Sequence, residues 1–302
     1  MNPTISVIIS TYNRAPLLKR AISSVLVQTF QNFELIIVNN ASVDNTEEVV
    51  QFFDDSRIRY VCHDKNKGGP AARNTGIKLA VGKYFAFLDD DDKWLPKKLS
   101  KQVKKMDASS EKVGLVYVGT EIVDNKTQKT LRSYEPQFKG NVYKYLLVRT
   151  ILGSVSSVLI RKECFGKVGL FDEELSSCQD WDMWLRISQE YEFDFVPEFL
   201  VKIYMHDVQI SNNLAALIPG RTRMVQKHKD KFLQYPEIYV IHLKRLGKLH
   251  CLNGTWKEAA SWFKKAVSVR FIEVFKILAW CILELPRIKF FSKEKNFKKY
   301  QI

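Results

Sequence analysis

The sequence predicts an α/β fold: a mixed, mostly parallel sheet flanked by helices, with a C-terminal helical extension. Three observations carry this expectation. Short β-branched apolar runs alternate with amphipathic stretches from the start of the chain to KYFAFL. After Asp107 the pattern becomes less regular and partly antiparallel, and past Asn212 it becomes helical and strongly basic. Alternating strand and helix implies parallel strands covered on both faces, with ligands gathered at the carboxyl ends of the strands.

In chain order, ISVIIS reads as the first strand and the stretch around Leu17 to Val27 as the first helix, with Pro16 suited to its opening turn. ELIIVN is the second strand. The helix around Thr46 to Phe53 follows it, and Asp44 with Glu47 three residues on predicts a capping box there. RIRYVCH is a third strand, PAARNTGIKLAV a third helix, and KYFAFL the strand that feeds FLDDDDKW. LVYVG, a hairpin through EIVDNKTQKTL, and SSVLIR supply the antiparallel part. QDWDMWLRISQEY has helical spacing, and FDFVPEFLVKIYMH reads as strand broken at Pro197. LHCLNGTWKEAASWFKKAVSV reads as two helices joined at Asn253 and Gly254, with small residues spaced as in a single tetratricopeptide-type hairpin. FIEVFKILAWCILEL is too short to span a bilayer and reads as an amphipathic helix stopped by Pro286.

Composition sets the boundary between the parts. The 302 residues are 46% hydrophobic, ample for a core, and carry a formal charge of +14. From Asn212 onward there are 19 Lys and Arg against 6 Asp and Glu, whereas residues 1–211 hold 28 against 27. A nearly neutral domain over 1–211 therefore precedes a basic region over 212–302. A nucleic-acid-binding protein is one rival, since bases interleave with aromatics in the tail. It leaves unexplained an acidic strand end that would repel phosphates. The five cysteines are scattered and never at zinc or redox spacing, and the chain shows neither a charged-then-apolar leader nor a spanning run, so a cytoplasmic location is expected.

The four consecutive aspartates, Asp89 to Asp92, repel one another unless a cation, hydrogen bonds or solvent offset the charge. Asp89 and Asp91 are two residues apart on an extended segment and project to the same side. Asp90 and Asp92 are expected to face elsewhere, in cap or solvated positions.

SVIISTYNR, VNNASVDNT, AARNTG and FLDDDDKWLP, in that order, with the later QDWDMWLR and YMHDVQIS, resemble glycosyltransferase family 2 over residues 4 to 211. The resemblance implies a GT-A, Rossmann-like fold and an inverting transfer of sugar from a nucleotide-diphosphate donor to a hydroxyl acceptor. The implied acceptor is a glycan or lipid-linked intermediate of cell-surface polysaccharide synthesis. It also implies a divalent Mn2+ or Mg2+ between diphosphate and carboxylates. Asp89 and Asp91 match the Asp-X-Asp signature, and His206 stands where many relatives place a histidine near the metal. Thr11, Tyr12, Asn13 and Arg14 match the first-strand nucleotide motif, Arg73 resembles a basic contact to the nucleotide, and Asp90 joins Asp89 on the donor side. Asn40 is a departure, because many relatives carry an aspartate there against the base. It leaves open a catalytically inactive nucleotide-sugar-binding relative.

Asp180 matches the family's general base, preceded by Gln179 where relatives often have glutamate. Asp182 is its rival, since either could cap a helix. Trp181 and Trp184 are candidates for stacking on sugar, with at least one expected in the core at that spacing, and Phe171 to Glu173 resemble an acceptor-side segment. The basic region, beside an apolar stripe of Phe271, Phe275, Leu278, Ile282 and Leu285, predicts peripheral attachment to an anionic membrane surface, the inner face of the plasma membrane. A soluble helical cap is the alternative.

Overall fold

The computed structural model describes residues 2–205, 214–280 and 283. The chain divides into two units, Met1–Glu174 with Gln179–Asp207, and Leu175–Cys178 with Val208–Ile302. The first unit opens with β1 (Ile5–Thr11), α1 (Ala15–Leu26), β2 (Phe33–Asn39), α2 (Thr46–Gln51), β3 (Ile58–Cys62), α3 (Gly69–Leu79) and β4 (Tyr84–Asp89). There follow β5 (Lys93–Trp94), α4 (Lys98–Asp107), β6 (Val113–Asp124), β7 (Thr130–Tyr134), α5 (Tyr143–Val148), a 3-10 turn over Val155–Ser157, β8 (Val158–Arg161), α6 (Lys162–Val168), α7 (Gln179–Glu190) and β9 (Glu192–Met205).

One sheet runs β3-β2-β1-β4-β8-β6-β9-β5, with β7 paired to β6 off this path. The first four strands are parallel; β8 then joins β4 and β6 antiparallel, while β6 and β9 run parallel. Register brings the functional ends level, because Thr11 pairs with Asn39 across β1 and β2, and Ser10 with Asp89 across β1 and β4. All but one of the β1 residues are buried, as are most of β2 and β4, so these strands are apolar on both faces, as a helix-covered sheet requires.

Each helix covers the sheet for a reason visible in its sequence. Leu18, Ala21, Ile22 and Val25 recur at the helical spacing and form the buried face of α1. Each fully buried aliphatic side chain of this kind contributes about 1.5–3 kcal/mol. In α3, a side chain at Gly76 would run into Ile8, so the bare backbone lets this helix lie directly on β1.

Two local expectations are corrected. Asp44 accepts from Thr46 N at 3.2 Å and from Ala15 N at 3.0 Å, so it joins the starts of two helices. No capping box forms, because Glu47 bonds Gln51 instead. The strand at Pro197 is not broken. β9 continues for 14 residues, and its register against β6 jumps from Val118↔Val196 to Gly119↔Phe199, leaving Pro197 and Glu198 as a bulge that tolerates the missing N–H.

The second unit is helical, with α8 (Leu214–Lys227), α9 (Lys229–Leu233), α10 (Pro236–Leu252) and α11 (Trp256–Val269). Gly254 makes the turn between α10 and α11 at φ +76, a left-handed conformation that glycine adopts without cost. Val240, Leu243 and Ala266 are buried between those helices, and Lys244 pairs with Glu273 at 2.5 Å. Among the described residues no helix is long and apolar enough to cross a membrane. Phe271, Phe275 and Leu278 of the expected apolar stripe are exposed, whereas Ile282 and Leu285 lie outside the described residues.

Candidate active site

The acidic strand end is held by arginines that are distant in the sequence. Arg73 Nη2 of α3 lies 2.8 Å from Asp89 Oδ1. Arg14 Nη1, just before α1, lies 3.0 Å from Asp90 Oδ1 and 2.9 Å from Asp91 Oδ2. Arg20 Nη2 donates to the Asp91 carbonyl at 2.5 Å, its Nη1 donates to Asn125 Oδ1 at 3.0 Å, and its guanidinium stacks 3.6 Å from the Tyr204 ring centroid. Asp92 is held differently: its Oδ2 accepts from Ser156 Oγ at 2.6 Å and Ser154 Oγ at 3.4 Å. The expected cap or solvated positions of Asp90 and Asp92 are therefore corrected. Both are buried, at 5% and 2% exposure, because partners from elsewhere in the chain cover them.

Burial dominates the electrostatics here. It raises the Asp89 carboxyl above its ordinary range, opposed by Arg73 and reinforced by repulsion from Asp91 and Asp180. Asp90 is pushed up to about 6 by burial, with Arg14 opposing. Asp92 is raised well above its ordinary value, again by burial first and then by Asp91 and Asp89. Crowded carboxyls of this kind give up their protons to a cation that neutralises them together.

The first turn of α7 separates two aspartates that the sequence left as rivals. Asp182 is fully buried and pairs with Arg186 Nε at 2.9 Å, while Arg186 also donates to the carbonyls of Val168 and Leu170. That carboxylate is a structural strut. Asp180 is half-buried, accepts from Trp181 N at 2.9 Å, and lies near enough to Asp89 to repel it. Both tryptophans are core: Trp184 is fully buried, and Trp181, at 4% exposure, donates Nε1 to the Leu146 carbonyl at 2.7 Å. Neither has a face left for sugar.

At the ends of β1 and β2, two loops clasp each other. Asn13, in a left-handed conformation at φ 52, donates its N–H to Ser42 Oγ at 2.9 Å and accepts from Val43 N at 2.8 Å. Tyr12 is 43% exposed beside this clasp, and Thr11 is buried at the strand end. Asn39 bonds the Tyr60 hydroxyl and Ser42 N. Asn40 donates to Asn66 Oδ1 at 2.8 Å and accepts from Lys67 N and His63 Nδ1, each at 2.9 Å, so its amide holds the 63–67 loop.

Asn74, next to Arg73, joins α3 to the 171–173 segment. It accepts from Phe171 N at 2.9 Å and donates to the Phe171 carbonyl at 2.9 Å and Glu173 Oε1 at 2.8 Å. Sequence reading placed Asp92 in a cap or solvated position and gave no role to Asn74, Arg20, Ser156 or Asn125. Asn74 was signalled inside the quoted AARN; Arg20, Ser156 and Asn125 meet the site through pairings 64 to 105 residues apart.

One carboxylate oxygen each from Asp89, Asp91 and Asp92 lies within 4.8 Å of the other two. Such a set of hard oxygen donors suits Mn2+ or Mg2+. His206 lies outside the described residues.

The chain is 35% identical over 269 residues to WcaA of Escherichia coli, a putative colanic acid biosynthesis glycosyl transferase, covering 85% of this chain and 91% of that protein. The fold is similar to Staphylococcus aureus TarS 1-349 in complex with UDP-GlcNAc, at a TM-score of 0.67 and 14% identity over 98% and 89% of the two chains. It is also similar to the mannosyltransferase PcManGT of Pyrobaculum calidifontis in complex with GDP-Man and Mn2+, at a TM-score of 0.56 and 18% identity over 98% and 84%. These structures share the GT-A fold, and the model of the family described as glycosyl transferase family 2 matches residues 6–169. With its sheet, acidic strand end and matched length, this chain belongs to glycosyl transferase family 2.

Proposed function

We propose that this enzyme is an inverting glycosyltransferase that moves a sugar from a nucleotide-diphosphate sugar to a hydroxyl of a glycan or lipid-linked acceptor in polysaccharide synthesis. The observation that carries the reading is the cluster of Asp89, Asp91 and Asp92 at the end of β4, whose oxygens lie within 4.8 Å of one another, in a chain that also offers the half-buried Asp180 in the first turn of α7. In this reading Asp180 takes the proton of the acceptor hydroxyl as it attacks the anomeric carbon from the face opposite the leaving diphosphate. Asp89 and Asp91, with His206, hold a divalent cation, which when bound offsets the charge of the diphosphate. Thr11, Tyr12, Asn13 and Arg14 line the nucleotide end, and Asp90 keeps Arg14 in place. Arg73 orients Asp89. Asn40 shapes the base site through the 63–67 loop.

A thermal-shift screen of UDP-, GDP- and dTDP-sugars with Mn2+ tests the donor, since a bound ligand stabilises the folded chain by mass action. Inversion is read from the anomeric configuration of the product by NMR, and a retained configuration overturns it. In the same reading the basic second unit holds the enzyme on the inner face of the plasma membrane, where the exposed Phe271, Phe275 and Leu278 meet the surface. The full chain should pellet with anionic vesicles and release in high salt; failure to pellet overturns the membrane reading without touching the chemistry.

A further inference from the structure

Ser156 occupies the 3-10 turn before β8, and its hydroxyl touches both ends of the acidic turn. It donates to Asp92 Oδ2 at 2.6 Å and accepts from Asp89 N at 3.1 Å. The turn itself is braced, because Trp94 Nε1 donates to the Ser156 carbonyl at 2.8 Å and Ser154 Oγ accepts from Ser156 N at 3.1 Å. Ser156, Trp94 and Asp92 are all buried. A hydroxyl fixed from behind has one direction in which to hold its partner.

We infer that Ser156 is a positioning residue that presents Asp92 as a third oxygen ligand beside Asp89 and Asp91. Both serine hydroxyls take the same oxygen of Asp92, Oδ2, which leaves Oδ1 for a cation. The ligating oxygens of the three aspartates already stand within 4.8 Å of one another. Asp92 thereby supplies a carboxylate that the Asp-X-Asp spacing does not mark. Groups that orient a ligating carboxylate typically change metal affinity by about 10–100-fold when removed. The inference rests on the proposed metal site.

The test is Mn2+ affinity of the full chain, by titration of the free-ion paramagnetic resonance signal, alone and with UDP or GDP present. Ser156→Ala should weaken Mn2+ binding about 10-fold and Asp92→Asn at least as much, with Ser156→Ala still folded by circular dichroism in the absence of metal. Native affinity in both variants overturns the inference and leaves the ion to Asp89 and Asp91. A native chain that binds no Mn2+ in any condition overturns the metal site itself. If Ser156→Ala does not fold, Ser156→Cys carries the test, since a thiol of similar size is a weak donor: weakened affinity supports the positioning role and native affinity overturns it.

Discussion

The end of β4 and the first turn of α7 both carry closely spaced aspartates, and the two places treat them in opposite ways. At β4 each carboxylate is gripped by a side chain from another element: Arg73 on Asp89, Arg14 on Asp90 and Asp91, Ser156 on Asp92. At α7 the strut and the half-buried group are separate residues, with Asp182 buried against Arg186 and Asp180 accepting from its neighbour's N–H. A site for a polyanion has to be built before its ligand arrives, so its charges are braced in advance. In the proposed reading Asp180 must meet a mobile hydroxyl, and it is only half-buried where Asp182 is fully buried.

Four experiments strain this contrast, beginning with the largest effect. Asp91→Ala should lower transfer by about 10³-fold while leaving the unfolding temperature near native, because the removed group stabilises charge and fills no core. Near-native turnover with Mn2+ present would remove Asp91 from the site. Asp182→Ala should act on stability instead, costing about 3–5 kcal/mol in chemical denaturation, because Arg186 is left without its buried partner. A native denaturation midpoint would show that Asp182 is no strut.

Asp180→Asn should lower transfer by about 10²-fold or more with donor binding close to native by thermal shift. Weakened donor binding with unchanged turnover would make Asp180 a cap. The smallest effect is in pH. The folded Asp90 carboxyl is raised from 3.8 to about 6, so the native state holds its proton more tightly than the unfolded chain. The stability it contributes is present below about pH 4 and is lost as pH rises through 6, a change of about 3 kcal/mol. Metal-free denaturation across pH 4–7 should show a steeper decline for the native protein than for Asp90→Asn; equal slopes would mean that Arg14 fully compensates the charge.

Much of the sheet was legible because β1, β2 and β4 announce themselves by continuous apolar runs, and α1 by its Leu18, Ala21, Ile22 and Val25 spacing. The position of the acidic turn followed from the same pattern, since KYFAFL ends where the aspartates begin. The partners of those aspartates were not legible. The residues around FLDDDDKW offered no partner for Asp90 or Asp92 beyond a cap or solvent, whereas Arg14 and Arg20 arrive from more than 70 residues away. Helical spacing likewise left Trp181 and Trp184 ambiguous, because only the tertiary packing shows that Leu146 takes the indole N–H of Trp181. The misread Asp44 had a partner outside its own helix, in Ala15.

Asn74 carries a consequence for how this protein is made. Its amide closes a bonded ring with the backbone of Phe171, 97 residues further along. During synthesis at about 5–20 residues per second, α3 emerges several seconds before that partner exists. Until then the amide cannot be buried without losing water it has nothing to replace, and the same delay applies to Asp92 waiting for Ser156. The parallel strands can pair early, yet α3 cannot lock against the 171–173 segment until the chain has passed residue 171. Such long-range closure predicts slow final ordering of the site relative to the sheet, with α3 among the last buried helices to gain protection from hydrogen exchange on refolding.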